Sequence, residues 1–131
     1  HAGQKIDPHS LSVRVVELNV WAPWWGACRD EHPVLMDLAR RYTTPVLGLN
    51  YKDTPDAARS WLARHGNPYV DSAVDASGRV GIDLGVYGVP ETFVIDRAGR
   101  VRLKHVGPLT PQVVRDQIEP LLKTLEGQPP A

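Results

Sequence analysis

The only cysteine of the chain, Cys28, is the residue with the clearest capacity for chemistry. A thiolate is a nucleophile that attacks disulfides, and its formation is favoured where a cysteine lies at the start of a helix. Glu31 follows three residues later on the same face of a predicted helix, one turn along. An acid at this place is either part of a site with the thiol or a solvated first-turn acid that complements the helix dipole. Cys28 and Glu31 are therefore candidate site residues.

A metal site is the other chemistry to consider at this helix. Cys28 and His32 are four residues apart, a spacing at which two side chains on one helix face can bind a metal. The other histidines are dispersed along the chain and complete no ligand set. The glycines between residues 78 and 88 also lack the Lys-Ser/Thr ending of a phosphate-binding loop. We therefore expect neither a metal nor another cofactor.

The size and charge of the chain limit its organisation and its partners. Its 131 residues, 42% of them apolar, predict a single domain, with residues 1–12 as an N-terminal extension and 126–131 as a flexible tail. Fifteen basic and fifteen acidic residues are scattered without a like-charge run, which argues against nucleic-acid binding. The apolar stretches are only as long as strands, so no membrane span is predicted. Because residues 1–3 do not resemble the start of translation, we expect a preceding export signal or membrane anchor.

Strand and helix patterns alternate along the chain. They predict strands at 13–22 and 45–51, a strand or loop at 69–74, and a hairpin of 92–96 and 101–106. They predict helices at about 27–42, from the cap Thr54 to a stop at 66–68, within the glycine-rich stretch 78–88, and at about 110–125. This order is βαβ followed by ββα, which indicates an α/β fold with a mixed sheet flanked by helices.

Four ordered blocks of sequence carry a resemblance to a known family. The blocks are Asn19-Val20-Trp21-Ala22-Pro23-Trp24 followed by Cys28-Arg29, then residues 48–53, 66–69 and 85–93. From about Val13 to Leu125 the chain resembles the CcmG/DsbE family of periplasmic thioredoxin-like thiol:disulfide oxidoreductases. The resemblance implies a thioredoxin-like fold with a C-terminal hairpin and helix. It also implies a protein-disulfide reductant of cytochrome c maturation, tethered to the inner membrane by an N-terminal segment. The implied partners are disulfide-containing proteins of that pathway and a membrane electron donor.

The motif that carries the family's chemistry is altered in this chain. Relatives have Trp-Cys-x-x-Cys at the start of a helix, whereas this sequence reads Trp24-Trp25-Gly26-Ala27-Cys28. The resemblance therefore places Trp25 where the attacking cysteine stands and makes Cys28 the more buried, resolving thiol. It also matches Glu31 to an acidic residue near the family's cysteines, where a carboxylate could tune the thiol pKa or carry a proton. An indole forms neither a thiolate nor a disulfide, so we expect impaired catalysis.

A second implied feature is a surface that binds an extended polypeptide. The resemblance implies that Pro90 follows a cis peptide bond, that the Val89 backbone pairs with the bound chain, and that Trp24 lines the same groove. Two interpretations remain open: an oxidoreductase in an impaired form, and a redox-silent module that still binds polypeptide.

Glu17 and Asn19 are unusual residues for the predicted central strand. The position of Glu17 looks apolar in relatives, and a buried carboxylate is costly. We therefore expect either that this end of the strand is exposed or that the domain is destabilised. Asn19 stands where thioredoxins commonly carry a buried acid.

Overall fold

The computed structural model describes residues 14–24 and 26–128. Its centre is a sheet of five strands: β1 (Val16–Trp21), β2 (Val46–Tyr51), β3 (Asp71–Asp75), β4 (Glu91–Ile95) and β5 (Val101–Val106). The spatial order is β3-β2-β1-β4-β5, in which the first three strands are parallel and β4 runs antiparallel to both of its neighbours. The predicted extension 1–12 and residues 129–131 of the predicted tail lie outside the described residues.

Four helices flank this sheet in the described part of the chain. They are α1 (Gly26–Arg41), α2 (Pro55–His65), the short α3 (Arg79–Asp83), and a C-terminal helix α4 that spans residues 111–126. The mixed α/β architecture is therefore as predicted. Within the described residues, no helix has the length and apolar character needed to cross a bilayer.

Strand β1 lies in the middle of the sheet, and all six of its residues are buried. It is shorter than the predicted strand 13–22, of which Val13 lies outside the described residues. The predicted strand or loop at 69–74 is a strand, displaced to Asp71–Asp75, because its backbone completes the open edge of β2. The Val70 N–H donates to the carbonyl of Val46 at one end of this pairing.

The ends of α2 follow the local sequence. The Thr54 hydroxyl accepts a hydrogen bond from the Ala57 N–H at 3.2 Å, and Pro55 takes the first helical position, where no donor is needed. Gly66 ends the helix with a φ of +98°, which favours glycine, and its N–H donates to the Leu62 carbonyl.

Helix α4 departs from the continuous α-helix predicted for 110–125. It begins at the Thr110 cap with a turn at Pro111–Val113, widens into a π-helical turn at Val114–Ile118, and continues as Glu119–Glu126. Pro120 explains the widening, because it has no N–H and its ring would clash with the carbonyl four residues earlier. The helix also includes Glu126, the first residue of the predicted tail.

The register of the sheet brings two loops to one edge. Val20 near the end of β1 pairs with Glu91 at the start of β4, so residues 22–24 and the loop 85–90 leave the sheet side by side. The face of β1 that carries Asn19 and Trp21 lies under α1 and α2. Asn19 donates a hydrogen bond to Glu31 of α1, and the centre of the Trp21 ring lies 5.5 Å from the centre of the Trp61 ring in α2. The sheet therefore positions the first turn of α1 next to the loop that precedes β4.

Candidate thiol site and docking loop

Cys28 lies in the first turn of α1 and is buried. Its Sγ accepts a hydrogen bond from the Ala22 N–H at 3.3 Å. Burial raises the pKa of the thiol to about 12; the Ala22 N–H opposes this rise and the Glu31 carboxylate adds to it. At neutral pH only about one molecule in 10⁵ would then hold a thiolate. The helix N-terminus favours a thiolate, but burial outweighs it.

Glu31 is fully buried, so the alternative of a solvated first-turn acid is wrong. One carboxylate oxygen accepts a hydrogen bond from the Leu109 N–H at 3.0 Å, and the other accepts one from Asn19 Nδ2 at 3.3 Å. Burial raises the pKa of Glu31 to about 7, and both hydrogen bonds oppose that rise. The carboxylate is buried because β1 and the segment before α4 both lie against this face of α1. Glu31 therefore titrates near neutrality at the candidate site.

Asn19 is the centre of a buried hydrogen-bond network. The Tyr69 hydroxyl donates to Asn19 Oδ1 at 2.7 Å, and Asn19 Nδ2 also donates to Thr92 Oγ1 at 3.1 Å. Burial raises the pKa of Tyr69 well above its ordinary value, and the Glu31 charge adds to the rise. The network joins β1, β4, α1 and the segment before β3.

Tyr69 and Thr92 were not predicted as parts of this network. A usable signal was Gly48, a glycine inside an apolar strand, which commonly marks a close approach by another group. A Cβ at Gly48 would lie 2.9 Å from the Tyr69 ring, so only glycine leaves the room that this ring occupies.

Glu17 is fully buried in the middle of the sheet, so the expectation of an exposed strand end is wrong. It pairs with Val46 on one side and Val94 on the other, and neither carboxylate oxygen has a hydrogen-bond partner. Burial raises the pKa of Glu17 to about 8. The remaining expectation, a destabilised domain, stays a prediction.

His32, considered with Cys28 as a possible metal ligand, contacts other groups in the structure. Its Nε2 lies 2.8 Å from the Gly66 carbonyl oxygen, and its ring meets the Trp61 ring edge-on at 4.5 Å. Burial lowers the pKa of His32. Among the described residues, no group of three or more His, Cys, Asp or Glu side chains is arranged to hold a metal. The expectation of no metal and no cofactor stays a prediction.

The Val89-Pro90 peptide bond is cis, as predicted. The side chains of both residues are buried, whereas two aromatic residues at the same edge of the sheet are exposed, Trp24 at 52% and Tyr87 at 78%. Trp25, the position predicted to have lost the attacking cysteine, lies outside the described residues. The contacts of Trp24, Val89 and Pro90 with a polypeptide stay predictions.

Two charged residues at this loop were not singled out from the sequence. Glu91 is fully buried, and its Oε2 accepts hydrogen bonds from the N–H groups of Tyr87 and Gly88 at 3.1 and 3.3 Å. Lys104 Nζ donates to the Gly85 carbonyl at 2.8 Å. The signal for Glu91 was an acid directly after Pro90, at the start of a strand whose other residues are uncharged. Lys104 gave no such signal, because it sits on a strand with many polar residues.

Comparison with known proteins identifies the family. The redoxin family model matches residues 1–121. The thiol:disulfide interchange protein DsbE of Allochromatium vinosum is 45% identical over 127 residues, which are 97% of this chain and 70% of that relative. The chain belongs to the CcmG/DsbE family. The DsbE protein of Escherichia coli K12 is 50% identical over 106 residues, 81% of this chain, and the match spans 57% of that relative.

The fold of this DsbE-family chain is thioredoxin-like. The crystal structure of a thioredoxin-like superfamily protein superimposes with a TM-score of 0.82, covering 98% of this chain and 90% of the other. At 18% identity that likeness concerns the fold alone. The family and the fold that the four sequence blocks predict are therefore confirmed.

Proposed function

We propose that this DsbE-family chain has the scaffold of a protein-disulfide reductant but is impaired in the interchange reaction itself. The observation that carries the proposal is the single buried thiol of Cys28, with a pKa raised to about 12. In interchange, a thiolate attacks a partner disulfide to form a mixed disulfide, and a second thiol attacks that bond and releases the reduced partner. Two thiols of the reductant are then oxidised to one disulfide, and two electrons pass to the partner. One thiol can reach only the mixed disulfide.

The family resemblance supports the same proposal from Trp25. In relatives the attacking cysteine stands at this position, three residues before the resolving cysteine that matches Cys28. A resolving thiol is buried and less reactive than its neighbour, which agrees with the surroundings of Cys28. The proposed loss therefore concerns the attacking group, and the remainder of the site is retained.

A redox-silent module that binds polypeptide is the second candidate. It is favoured by the cis bond before Pro90 and by the exposed side chains of Trp24 and Tyr87 at the same edge of the sheet. An extended chain bound there would pair with the Val89 backbone and lie against the aromatic rings. Isothermal titration with carboxamidomethylated insulin B chain, which has no free thiol, tests this binding apart from redox chemistry. Saturable binding supports the second candidate, and no binding rejects it.

We further propose that the chain acts in the periplasm, tethered through an N-terminal segment, on disulfide-containing proteins of cytochrome c maturation, and that a membrane electron donor supplies its family. The support is the resemblance described above. The double variant Trp25→Cys/Cys28→Ser tests the partners, because it supplies an attacking thiol and removes the resolving one, so mixed disulfides accumulate. Mass spectrometry of the periplasmic adducts is expected to identify proteins of that pathway. Adducts with unrelated proteins alone would contradict the assignment.

A further inference from the structure

The loop 85–90 is held by one carboxylate and one ammonium group. Glu91 Oε2 accepts the N–H groups of Tyr87 and Gly88 in the middle of the loop. Lys104 Nζ donates to the Gly85 carbonyl at the start of the loop and lies 3.3 Å from Glu91 Oε1. The two charges therefore bind each other and two separate points of the loop backbone.

The position of Lys104 depends on the hairpin. Its Cα pairs with that of Phe93, so the side chain starts beside β4 and runs towards the loop. The ammonium lies 5.8 Å from the centre of the Phe93 ring and 5.1 Å from that of Tyr87, both within the range of a cation–π contact. Lys104 thus also contacts the ring of Tyr87, the single aromatic residue of the loop.

Because Glu91 is buried, its position in the fold depends on the Lys104 ammonium. Glu91 is fully buried and Oε1 has no hydrogen bond, so the Lys104 ammonium is the charge that compensates it among the described residues. The Lys104 side chain is 31% exposed. An uncompensated buried carboxylate is strongly unfavourable. Removal of Lys104 is therefore expected to expel Glu91 and with it both loop hydrogen bonds.

We propose that Lys104 and Glu91 are positioning residues that hold the loop 85–90, and Tyr87 on it, in the shape that receives an extended polypeptide. This inference rests on the proposed polypeptide binding. In this proposal the strand β5 keeps the loop ordered, because Lys104 reaches the loop from that strand. Neither residue contacts the bound chain in this proposal.

Amide hydrogen exchange tests the positioning without any ligand. The amides of Tyr87 and Gly88 are expected to exchange at least about tenfold faster in Lys104→Met, because loss of their acceptor leaves them open to solvent. Lys104→Arg keeps the charge and is expected to restore slow exchange, whereas Lys123→Met, on the exposed side of α4, is the matched control. Wild-type exchange rates in Lys104→Met would overturn the proposal. If that variant does not fold, Glu91→Ala removes the acceptor of both amides directly, and the same faster exchange of Tyr87 and Gly88 is expected.

Binding of carboxamidomethylated insulin B chain tests the consequence. Its Kd is expected to rise about tenfold in Lys104→Met and to return towards the wild-type value in Lys104→Arg, with unchanged far-ultraviolet circular dichroism. Unchanged affinity in Lys104→Met would overturn the positioning role. Absence of binding to the wild-type chain would reject the polypeptide-binding function instead, and the exchange rates would still decide whether the ion pair orders the loop.

Discussion

Asn19 Nδ2 lies 3.3 Å from Glu31 Oε2, which joins the central strand to the first helix one turn beyond Cys28. An amide at this strand position donates to the carboxylate and accepts from the Tyr69 hydroxyl at the same time. A carboxylate in place of Asn19 would instead repel Glu31. The buried acid of this site thus lies on the helix, and the strand supplies a neutral partner.

Replacement of Tyr69 by Phe tests this network. The variant leaves Asn19 Oδ1 buried without its donor, so the free energy of unfolding is expected to fall by about 1–3 kcal/mol. Urea denaturation measures the change. Tyr87→Phe, which removes a hydroxyl from an exposed side chain, is the matched control and is expected to change stability by less than about 0.5 kcal/mol. Equal effects of the two variants would contradict the network.

The reactivity of Cys28 follows from its burial. Because the pKa of the thiol is raised to about 12, its labelling by a thiol-specific disulfide reagent at neutral pH is expected to be at least about 100-fold slower than in the urea-unfolded chain. The unfolded chain serves as the control, since it has the same thiol without the burial. Equally fast labelling in both states would show that Cys28 is accessible.

Because Glu17 is buried, we expect the free energy of unfolding to fall as the pH rises. Its pKa is about 4.5 when exposed and about 8 in the folded protein. Between these values the folded state keeps a proton that the unfolded state has lost, so the free energy of unfolding decreases with pH and levels off above pH 8. At pH 8, Glu17→Leu is expected to raise that free energy by about 3–5 kcal/mol, since each pKa unit corresponds to 1.4 kcal/mol.

The pH profile of the variant separates Glu17 from Glu31. The pKa of Glu31 is raised to about 7, so it gives a slope of the same sign that ends near pH 7. Glu17→Leu is therefore expected to lose the slope between pH 7 and 8 and to keep part of the slope below it. Asp83→Asn, at an exposed site, is the control. An unchanged profile in Glu17→Leu would show that the Glu17 carboxylate reaches solvent in the folded protein.

The order of strands and helices could be predicted because local signals mark it. Thr54 and Gly66 limit α2, and the block around Pro90 indicates both the cis bond and the hairpin that follows. Burial could not be predicted in the same way, because it depends on neighbours distant in sequence. The sequence around Glu17 was compatible with an exposed strand end, whereas in the structure β2 and β4 flank this residue on both sides. The π-helical turn in α4 arises from Pro120, whose effect a hydrophobic period does not register.

In the candidate site, too, contacts between near neighbours in sequence could be predicted and contacts between distant segments could not. Cys28 and Glu31 are close in sequence on one helix, so their proximity was predictable from helical spacing. The partners of Glu31 and Asn19 come from distant segments, at Leu109, Tyr69 and Thr92, and no local pattern connects them. Glu91 and Lys104 meet only through the register of the hairpin.

Gly48 offers a test of the close approach that permits this network. A Cβ there would lie 2.9 Å from Tyr69 ring atoms, so Gly48→Ala is expected to lower the free energy of unfolding by about 1–3 kcal/mol. Gly88→Ala is the matched control, because apart from its two chain neighbours no described residue has an atom within 4 Å of the added Cβ. Thermal unfolding of the wild-type chain and of both variants measures the loss of stability. A neutral Gly48→Ala would mean that the Tyr69 ring has room to move away.

Insulin reduction by dithiothreitol, followed as the precipitation of the B chain, tests most directly whether Trp25 disables an otherwise intact scaffold. The chain as it stands is expected to leave the rate at that of dithiothreitol alone, and Trp25→Cys to raise it at least about tenfold because it supplies the attacking thiol. Trp25→Cys/Cys28→Ser is the control for the second thiol and is expected to lose that gain. Turnover by the unaltered chain would contradict the account, as would a folded but inactive Trp25→Cys.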